Sequence, residues 1–466
     1  MSVDRAAPQS LHVQLYTLIK RNIEIGRIPP GSPLPSSRSF AAELGLARAT
    51  VTVAFEQLAA EGYVTGRRGT RLRVADAYDR PAGNLTPSPL PSAEQREKTP
   101  PLLRPGLPDI RLFPNAAWNK AAARCWRSAS PGVLGGGDPC GALELRRALA
   151  GHLAEWRGIQ ADPEQILITA GSAGALQLIL DTLTQRHDVI ATEEPSYQAF
   201  RRLADRRGLN VCSLPVGEDG IDIDALRSCP DTLRLCVVTP SHQYPLGHAM
   251  PIVRRFALLD WAAEADAVVV EDDYDSEFRY DGRPLPSLMA LSHGARVINV
   301  GTTSKVLSPA LRIGYIVAPP SLIECLRATA DDLEQRASTV PQYPLAELIV
   351  SGEYARHLRR MRRTYRERRR VLTSLLEERV PCTHLTLQPQ AAGLHLVSYL
   401  GPALTASSDD VALAAKCREA GLGVLPLSYF YRGATKRQGL LLGFAAFDEG
   451  ELTEGVSRLA EVLQAT

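Results

Sequence analysis

Lys305 stands in Gly301-Thr-Thr-Ser-Lys305-Val-Leu-Ser-Pro-Ala-Leu-Arg312-Ile-Gly314, directly after an apolar run. A primary amine there can form a Schiff base with an aldehyde. Thr302 and Ser304 set hydroxyls beside it, and Arg312 is a short reach away, a cation suited to a phosphate. One lysine after a strand is weak, so the chemistry needs partners elsewhere. The run Val268-Val-Val ends in Glu271-Asp-Asp-Tyr274. Asp272 is the carboxylate to hold a ring nitrogen protonated, with Tyr274 near the ring oxygen. Thr169-Ala-Gly171-Ser172-Ala173-Gly174, after another apolar run, offers a phosphate the N–H groups of a helix start. Tyr197, in Glu194-Pro-Ser-Tyr, supplies an aromatic cover. Taken singly, glycine loops cap helices and acidic strand ends bind water. Together, an amine, a ring-nitrogen carboxylate, a phosphate cradle and an aromatic cover are what pyridoxal 5'-phosphate (PLP) needs from a protein.

The elements that must position these groups are legible as buried apolar runs. Ile166–Thr169, Val189–Thr192, Leu235–Thr239, Val268–Glu271 and Val297–Val300 alternate with helical patterns, which predicts a mostly parallel α/β sheet. Several runs end in polar residues, among them Glu193, His242, Asp272 and Thr302. These fall at the carboxyl edge, where such sheets bind ligands. Near the carboxyl end, His357-Leu-Arg-Arg-Met361-Arg-Arg-Thr-Tyr365 keeps helical spacing at Leu358, Met361 and Tyr365, which predicts a long helix with a solvated basic face.

The first 75 residues are of another kind. Leu11, Leu15, Leu18 and Ile19 define a helix that ends at Gly26. Ser36 or Ser37 can cap a short second helix, Gly45 gives a turn, and Ala47-Arg48-Ala-Thr50-Val-Thr52 begins a third that stops at Gly62. Tyr63 to Val74 then reads as a two-stranded hairpin carrying four arginines. Helix, tight turn, helix is a DNA-reading unit. Arg48, Thr50 and Thr52 suit the start of a recognition helix, Arg38 suits a phosphate contact, and Arg67 and Arg68 suit a hairpin carried alongside a minor groove. Between the two regions, Asp76 to Pro108 is rich in proline and small polar residues and reads as an extended linker.

Composition sets the outer limits. A chain of 466 residues with 45% hydrophobic and 22% charged content needs two or three packed domains. Its net charge of +2 is too small to draw it to nucleic acid, so DNA affinity must come from a local basic surface. The eight cysteines show no C-x-x-C pair, so neither a metal site nor a disulfide framework is expected, and buried free thiols are the simpler reading. No apolar stretch spans a bilayer and the first residues lack a signal-peptide core, so a soluble cytoplasmic protein without a membrane partner is expected.

Leu34-Pro-Ser-Ser-Arg, Leu-Gly-Leu-Ala-Arg-Ala-Thr-Val and Leu-Ala-Ala-Glu-Gly-Tyr-Val resemble the winged helix-turn-helix of GntR-type regulators across residues 8–75. The PLP motifs resemble the fold-type I aminotransferase domain, a mostly parallel sheet with a small carboxyl-terminal α+β subdomain, across 105–466. Residues 76–104 form the linker between them. The combination resembles the MocR-type branch of the GntR regulators. That resemblance implies a homodimer in which one subunit's DNA-binding domain reaches over the other's large domain. It also implies double-stranded operator DNA as partner, and PLP, an amine or an amino acid as effector. By position, Lys305 is then the Schiff-base lysine, Asp272 the pyridine partner, Tyr197 the stacking ring, and Ser172, Ser304 and Arg312 phosphate ligands.

Departures from the family pattern matter too. Gly66-Arg67-Arg68-Gly69-Thr70 carries more charge than the usual Gly-x-Gly-Thr wing. Tyr244 replaces the asparagine that holds the ring oxygen. Leu441 replaces the arginine that clamps a substrate's α-carboxylate, and Gly136 replaces a tyrosine that reaches a phosphate. These losses favour a regulator with vestigial chemistry over the alternative, an active aminotransferase fused to a DNA-binding domain in which Arg432 or Arg437 takes the carboxylate. A pure dimerisation scaffold is disfavoured by the retained lysine, aspartate and phosphate loop.

Overall fold

The computed structural model describes residues 3–466 except 6, 8, 67–70, 77–99, 128, 231, 283–284, 293–295, 335 and 434–435. The chain divides into two compact units, Met1–Lys98 and Thr99–Thr466.

In the first unit, helices α1 (Leu11–Glu24), α2 (Ser37–Leu44) and α3 (Arg48–Ala60) precede an antiparallel ladder of β1 (Val64–Thr65) and β2 (Arg73–Val74). Ser36, rather than Ser37, caps α2 by accepting from the Ser39 N–H at 3.1 Å. Leu15, Ile19, Phe40, Val51, Phe55 and Leu58 close a core over which Phe40 and Phe55 stack at 5.9 Å. This packing fixes the angle between α2 and α3. The expected contacts Arg67 and Arg68 lie outside the described residues.

The second unit is built on an eight-stranded sheet. Its strands are β3 (Ile166–Thr169), β4 (Val189–Glu194), β5 (Asn210–Gly217), β6 (Gly220–Ile221), β7 (Leu233–Val238), β8 (Val268–Asp273), β9 (Val297–Thr302) and β10 (Gly314–Val317). They lie in the order β3-β10-β9-β8-β7-β4-β5-β6. The central pairs β9-β8, β8-β7, β7-β4 and β4-β5 are parallel, while β10 runs antiparallel to both neighbours. Alternate residues feed two different cores: Val268 and Val270 pack on one face and Val269 on the other. That double burial explains why these strands read as unbroken apolar runs. A four-stranded antiparallel sheet of β11 (Leu385–Leu387), β12 (His395–Leu400), β14 (Gly439–Gly443) and β13 (Leu425–Pro426), in that order, forms the carboxyl-terminal subdomain.

Three sequence expectations meet different outcomes here. Leu102 and Leu103 fall in the expected linker, yet Leu103 is fully buried, and Gly423 and Gly443 donate to the Leu102 and Leu103 carbonyls at 2.7 Å. The expectation of free cysteines is corrected at one pair: Cys212 on β5 is disulfide-bonded to Cys229, which follows the helix Ile223–Arg227. The partners are 17 residues apart on different elements, so no local spacing announced them. Of the free thiols, only Cys236 and Cys417 are buried. The long helix forms at Glu353–Arg379, but its basic face is not simply solvated. Arg360, Arg362 and Arg366 donate to the carbonyls of Leu112, Arg279 and Tyr280 at 2.7–2.8 Å, and Arg368 pairs with buried Asp109 at 2.9 Å. Long guanidinium arms reach over the helix edge to satisfy neighbouring backbone. Among the described residues, no helix is long and apolar enough to cross a membrane.

Candidate functional site

At the carboxyl edge of β8 and β9 lies a cavity of about 220 Å³. All nine residues expected around a cofactor line it: Ser172, Ala173, Tyr197, Asp272, Tyr274, Thr302, Ser304, Lys305 and Arg312. They come from segments up to 140 residues apart, between Ser172 and Arg312, because parallel strands deliver their ends to one edge. Gly106, Thr239, Asp275, Leu394 and His395 also line it, and sequence reasoning had not singled these out. Asp275 stood three residues beyond Asp272 and was the most findable. His395 and Gly106 sit in segments without any motif.

The Lys305 amine donates to the Gly106 carbonyl at 2.7 Å. Burial lowers its proton affinity, and the nearby Asp275 and Asp272 carboxylates only partly oppose this. A larger neutral fraction makes the amine a better nucleophile. Asp272 is pushed up to about 7, first by burial, then by repulsion from Asp273, Glu193 and Asp275, with Lys305 opposing. Its Oδ1 is buried without a hydrogen-bond partner. A carboxylate so placed is costly unless a cationic donor joins it. Beneath it, Arg157 binds Asp273 at 2.7 Å and Ser241 at 2.8 Å, and Glu193 accepts from the Thr239 N–H at 2.9 Å and from Gln243 at 3.1 Å. Burial pushes Glu193 itself up to about 7. His242, expected at the sheet edge, lies behind Tyr274 rather than in the lining.

Groups suited to an anion line the same cavity. Ser172 and Ala173 open the helix Ser172–Leu183, and Gly171 just before it has no side chain to cap it, so no side-chain cap occupies the first N–H groups. Close approach is enforced by Gly314 on β10: a Cβ there would lie 2.5 Å from the Gly171 carbonyl carbon and 2.8 Å from the Ser172 nitrogen. The Thr302 hydroxyl donates to Ser304 Oγ at 3.0 Å. Arg312 is exposed and held at φ +52°, a left-handed conformation rare for a residue with a side chain. The cradle, the orphaned Asp272 oxygen and the buried amine together fit a molecule that carries both a phosphate and a protonated ring nitrogen.

Aromatic rings wall the remainder. Tyr197 is 40% exposed at the mouth. Tyr244 is half-buried and meets Tyr197, Tyr274 and Phe430 edge-on at 5.9, 5.6 and 5.3 Å. Leu441 is fully buried with Leu246, Val397 and Leu427 and does not line the cavity. Neither replacement arginine is in the lining: Arg432 pairs with Asp205 at 2.8 Å and Arg437 stacks 3.7 Å over Tyr399. Lys305 and Arg312 are therefore the cations among the described lining residues. Gly136 lies in the turn after the helix Pro131–Leu134, also outside the lining.

In the first unit, Arg38 on α2 and Arg48 at the start of α3 are both exposed. Thr50 and Thr52 are half-buried, and the Thr52 hydroxyl donates to the Arg48 carbonyl at 2.9 Å. Val53 is 45% exposed on the same helix.

Residues 109–459 match the family of class I and II aminotransferases, and residues 11–74 match bacterial regulatory proteins of the gntR family. The chain is 35% identical to the HTH-type pyridoxine biosynthesis transcriptional regulator PdxR of Corynebacterium glutamicum, covering 98% of this chain and 96% of the relative. It is 34% identical to the probable rhizopine catabolism regulatory protein MocR of Rhizobium meliloti, covering 98% and 94%. Among solved structures it is similar to LysN, an α-aminoadipate aminotransferase from Thermus thermophilus, with TM-score 0.72 and 29% identity over 80% of this chain and 95% of that one.

Proposed function

The chain belongs to the MocR-type branch of the GntR regulators, in which a helix-turn-helix precedes an aminotransferase class I and II domain, and from that premise we propose a PLP-dependent transcriptional regulator. The observation that carries the reading is the convergence of Lys305, the unpartnered Asp272 oxygen and the glycine-shaped anion cradle on one cavity. When bound, PLP supplies an aldehyde that condenses with primary amines and a ring that withdraws electrons. Lys305 is the resident amine. Asp272 holds the ring nitrogen protonated, and the Ser172 and Ala173 N–H groups, Ser304 and Arg312 hold the phosphate. Thr302 supports Ser304, Tyr274 faces the ring oxygen, and Tyr197 covers the face and excludes water.

The effector is PLP itself or a small primary amine that competes with Lys305. With Leu441 buried and both arginines engaged elsewhere, an α-carboxylate meets no dedicated cation in this cavity. The pyridoxine-linked role in the name of the Corynebacterium relative supports PLP as the signal. Arg38, Arg48, Thr50, Thr52, Arg67 and Arg68 contact operator DNA, and the protein acts as a homodimer in the cytoplasm.

The test is an absorbance spectrum of protein with PLP, alongside Lys305→Ala, followed by operator binding with and without PLP and a panel of amines. A visible band that requires Lys305, together with an effector response lost in Lys305→Ala, is expected. A Lys305→Ala protein that responds normally would defeat the mechanism. The likeness to LysN favours a second reading, residual transamination; steady keto-acid production across an amino-acid panel would promote it.

A further inference from the structure

Behind the Tyr274 wall of the cavity, two oxygens meet one nitrogen. His242 Nδ1 lies 2.8 Å from the Tyr274 hydroxyl and 3.0 Å from Asp275 Oδ2. His242 is only 2% exposed. Its ring is wedged against Gly393, whose φ is +89° and where any Cβ would stand 2.1 Å from the imidazole Cε1. The His395 ring, 5.6 Å away, closes another side. The imidazole is therefore packed on two sides, and the two hydrogen bonds set which nitrogen faces Tyr274 and Asp275.

Hydrogen-bond roles follow from that arrangement. An ionised carboxylate can only accept, so the bond to Asp275 requires His242 Nδ1 to carry the ring proton. The same N–H then lies between two acceptors, as a three-centre bond, and the Tyr274 oxygen is the second of them. The phenol proton of Tyr274 is consequently not spent on His242 and is free for the cavity that Tyr274 lines. His242 Nε2, buried without a partner, is on this assignment the bare nitrogen rather than an unsatisfied N–H. Burial, then Asp275, Tyr244, Asp272 and Glu193, hold the Tyr274 phenol well above its ordinary value, so the proton stays on it.

We infer that His242, anchored by Asp275, is a positioning residue that sets Tyr274 as a hydrogen-bond donor toward a ligand oxygen beside Lys305. The inference rests on the reading of Lys305 as the PLP lysine and adds how the proton affinity of that linkage is set. Among the described residues, the carboxylates acting on Lys305 are Asp275 and Asp272, and His395 and Arg312 line the same cavity. A donor aimed at the phenolic oxygen of the cofactor draws negative charge from it and weakens its hold on the proton of the adjoining Lys305 nitrogen. Removing the donor raises the pH at which that proton leaves.

The experiment is a pH titration of the visible band of the PLP-loaded protein in four forms: wild type, His242→Leu, Tyr274→Phe and the double variant. His242→Asn, whose amide can stand in for Nδ1–H, is the conservative rescue. The expected midpoint rises by about one unit or more in His242→Leu and in Tyr274→Phe, as for loss of one hydrogen bond to a charged acceptor. The double variant is expected to match Tyr274→Phe, and His242→Asn to stay near wild type. An unshifted His242→Leu, or shifts that add in the double variant, overturns the inference while leaving the PLP reading intact. Absence of any lysine-dependent band in wild type overturns both. Should His242→Leu fail to fold, ¹⁵N chemical shifts of selectively labelled wild type decide: a proton on Nδ1 is expected, and a proton on Nε2 alone refutes the assignment.

Discussion

At the scale of single residues, the cavity holds charge that the protein alone does not compensate. Asp272 is pushed up to about 7, so folding without cofactor favours its protonated form. Its folded value lies above the ordinary carboxylate value. The stability it contributes is therefore complete below that ordinary value and is lost as pH rises through about 7. At about pH 8 the ionised carboxylate opposes folding by roughly 2–4 kcal/mol, an order-of-magnitude figure for a shift of this size. Asp272→Asn is expected to unfold at higher denaturant than wild type at about pH 8 when PLP is absent, with the gap narrower at about pH 5 and closed only below the ordinary carboxylate value, and to lose PLP affinity at about pH 8 and about pH 5 alike. Site residues commonly trade stability for function in this way. Identical denaturation of the two proteins at both pH values would show that Asp272 is not desolvated as the geometry requires.

At the scale of elements, the antiparallel strand β10 deserves the weight that the parallel strands received in the sequence. Gly314 pairs with Thr169 on β3 and with Thr302 on β9, so one residue joins the anion cradle to the Lys305 segment. Gly314→Ala places a methyl 2.5 Å from the Gly171 carbonyl carbon and must displace the cradle. PLP affinity is expected to fall about tenfold or more, equivalent to about 1.4 kcal/mol, with Lys305 and Asp272 untouched. A titration showing wild-type affinity would mean the cradle does not set phosphate binding. Elements were legible where burial imposed a pattern: β3 has the bounds its apolar run predicted, and Ser172, Asp272 and Lys305 reached one cavity because strand ends share an edge. β10 was missed because the lysine motif was read only as far as Gly314 and the short apolar run that follows it was not taken up as a strand. His395 and Gly106 were missed because tertiary packing alone brings them in, and Cys212–Cys229 because its partners lie on separate elements at the sheet edge.

At the scale of the whole molecule, a net charge of +2 means that operator affinity has to come from local groups; Arg38 and Arg48 are exposed on the first unit, and the cavity around Lys305 and Asp272 is in the second. Regulation then requires that the ligand bind the DNA-competent and DNA-incompetent states with different affinity. Linkage makes this a two-way statement. If PLP or an amine changes operator affinity by some factor, operator DNA must change the affinity for that ligand by the same factor, typically about 5–150-fold. The measurement is a ligand titration followed by absorbance, with free protein and with protein saturated by operator, set beside operator binding measured with and without ligand. Equal factors are expected, and Lys305→Ala should bring both to one. Unequal equilibrium factors would mean that the two experiments report different states or stoichiometries. No change in either direction would leave the large domain a ligand-binding unit thermodynamically separate from the DNA-reading one.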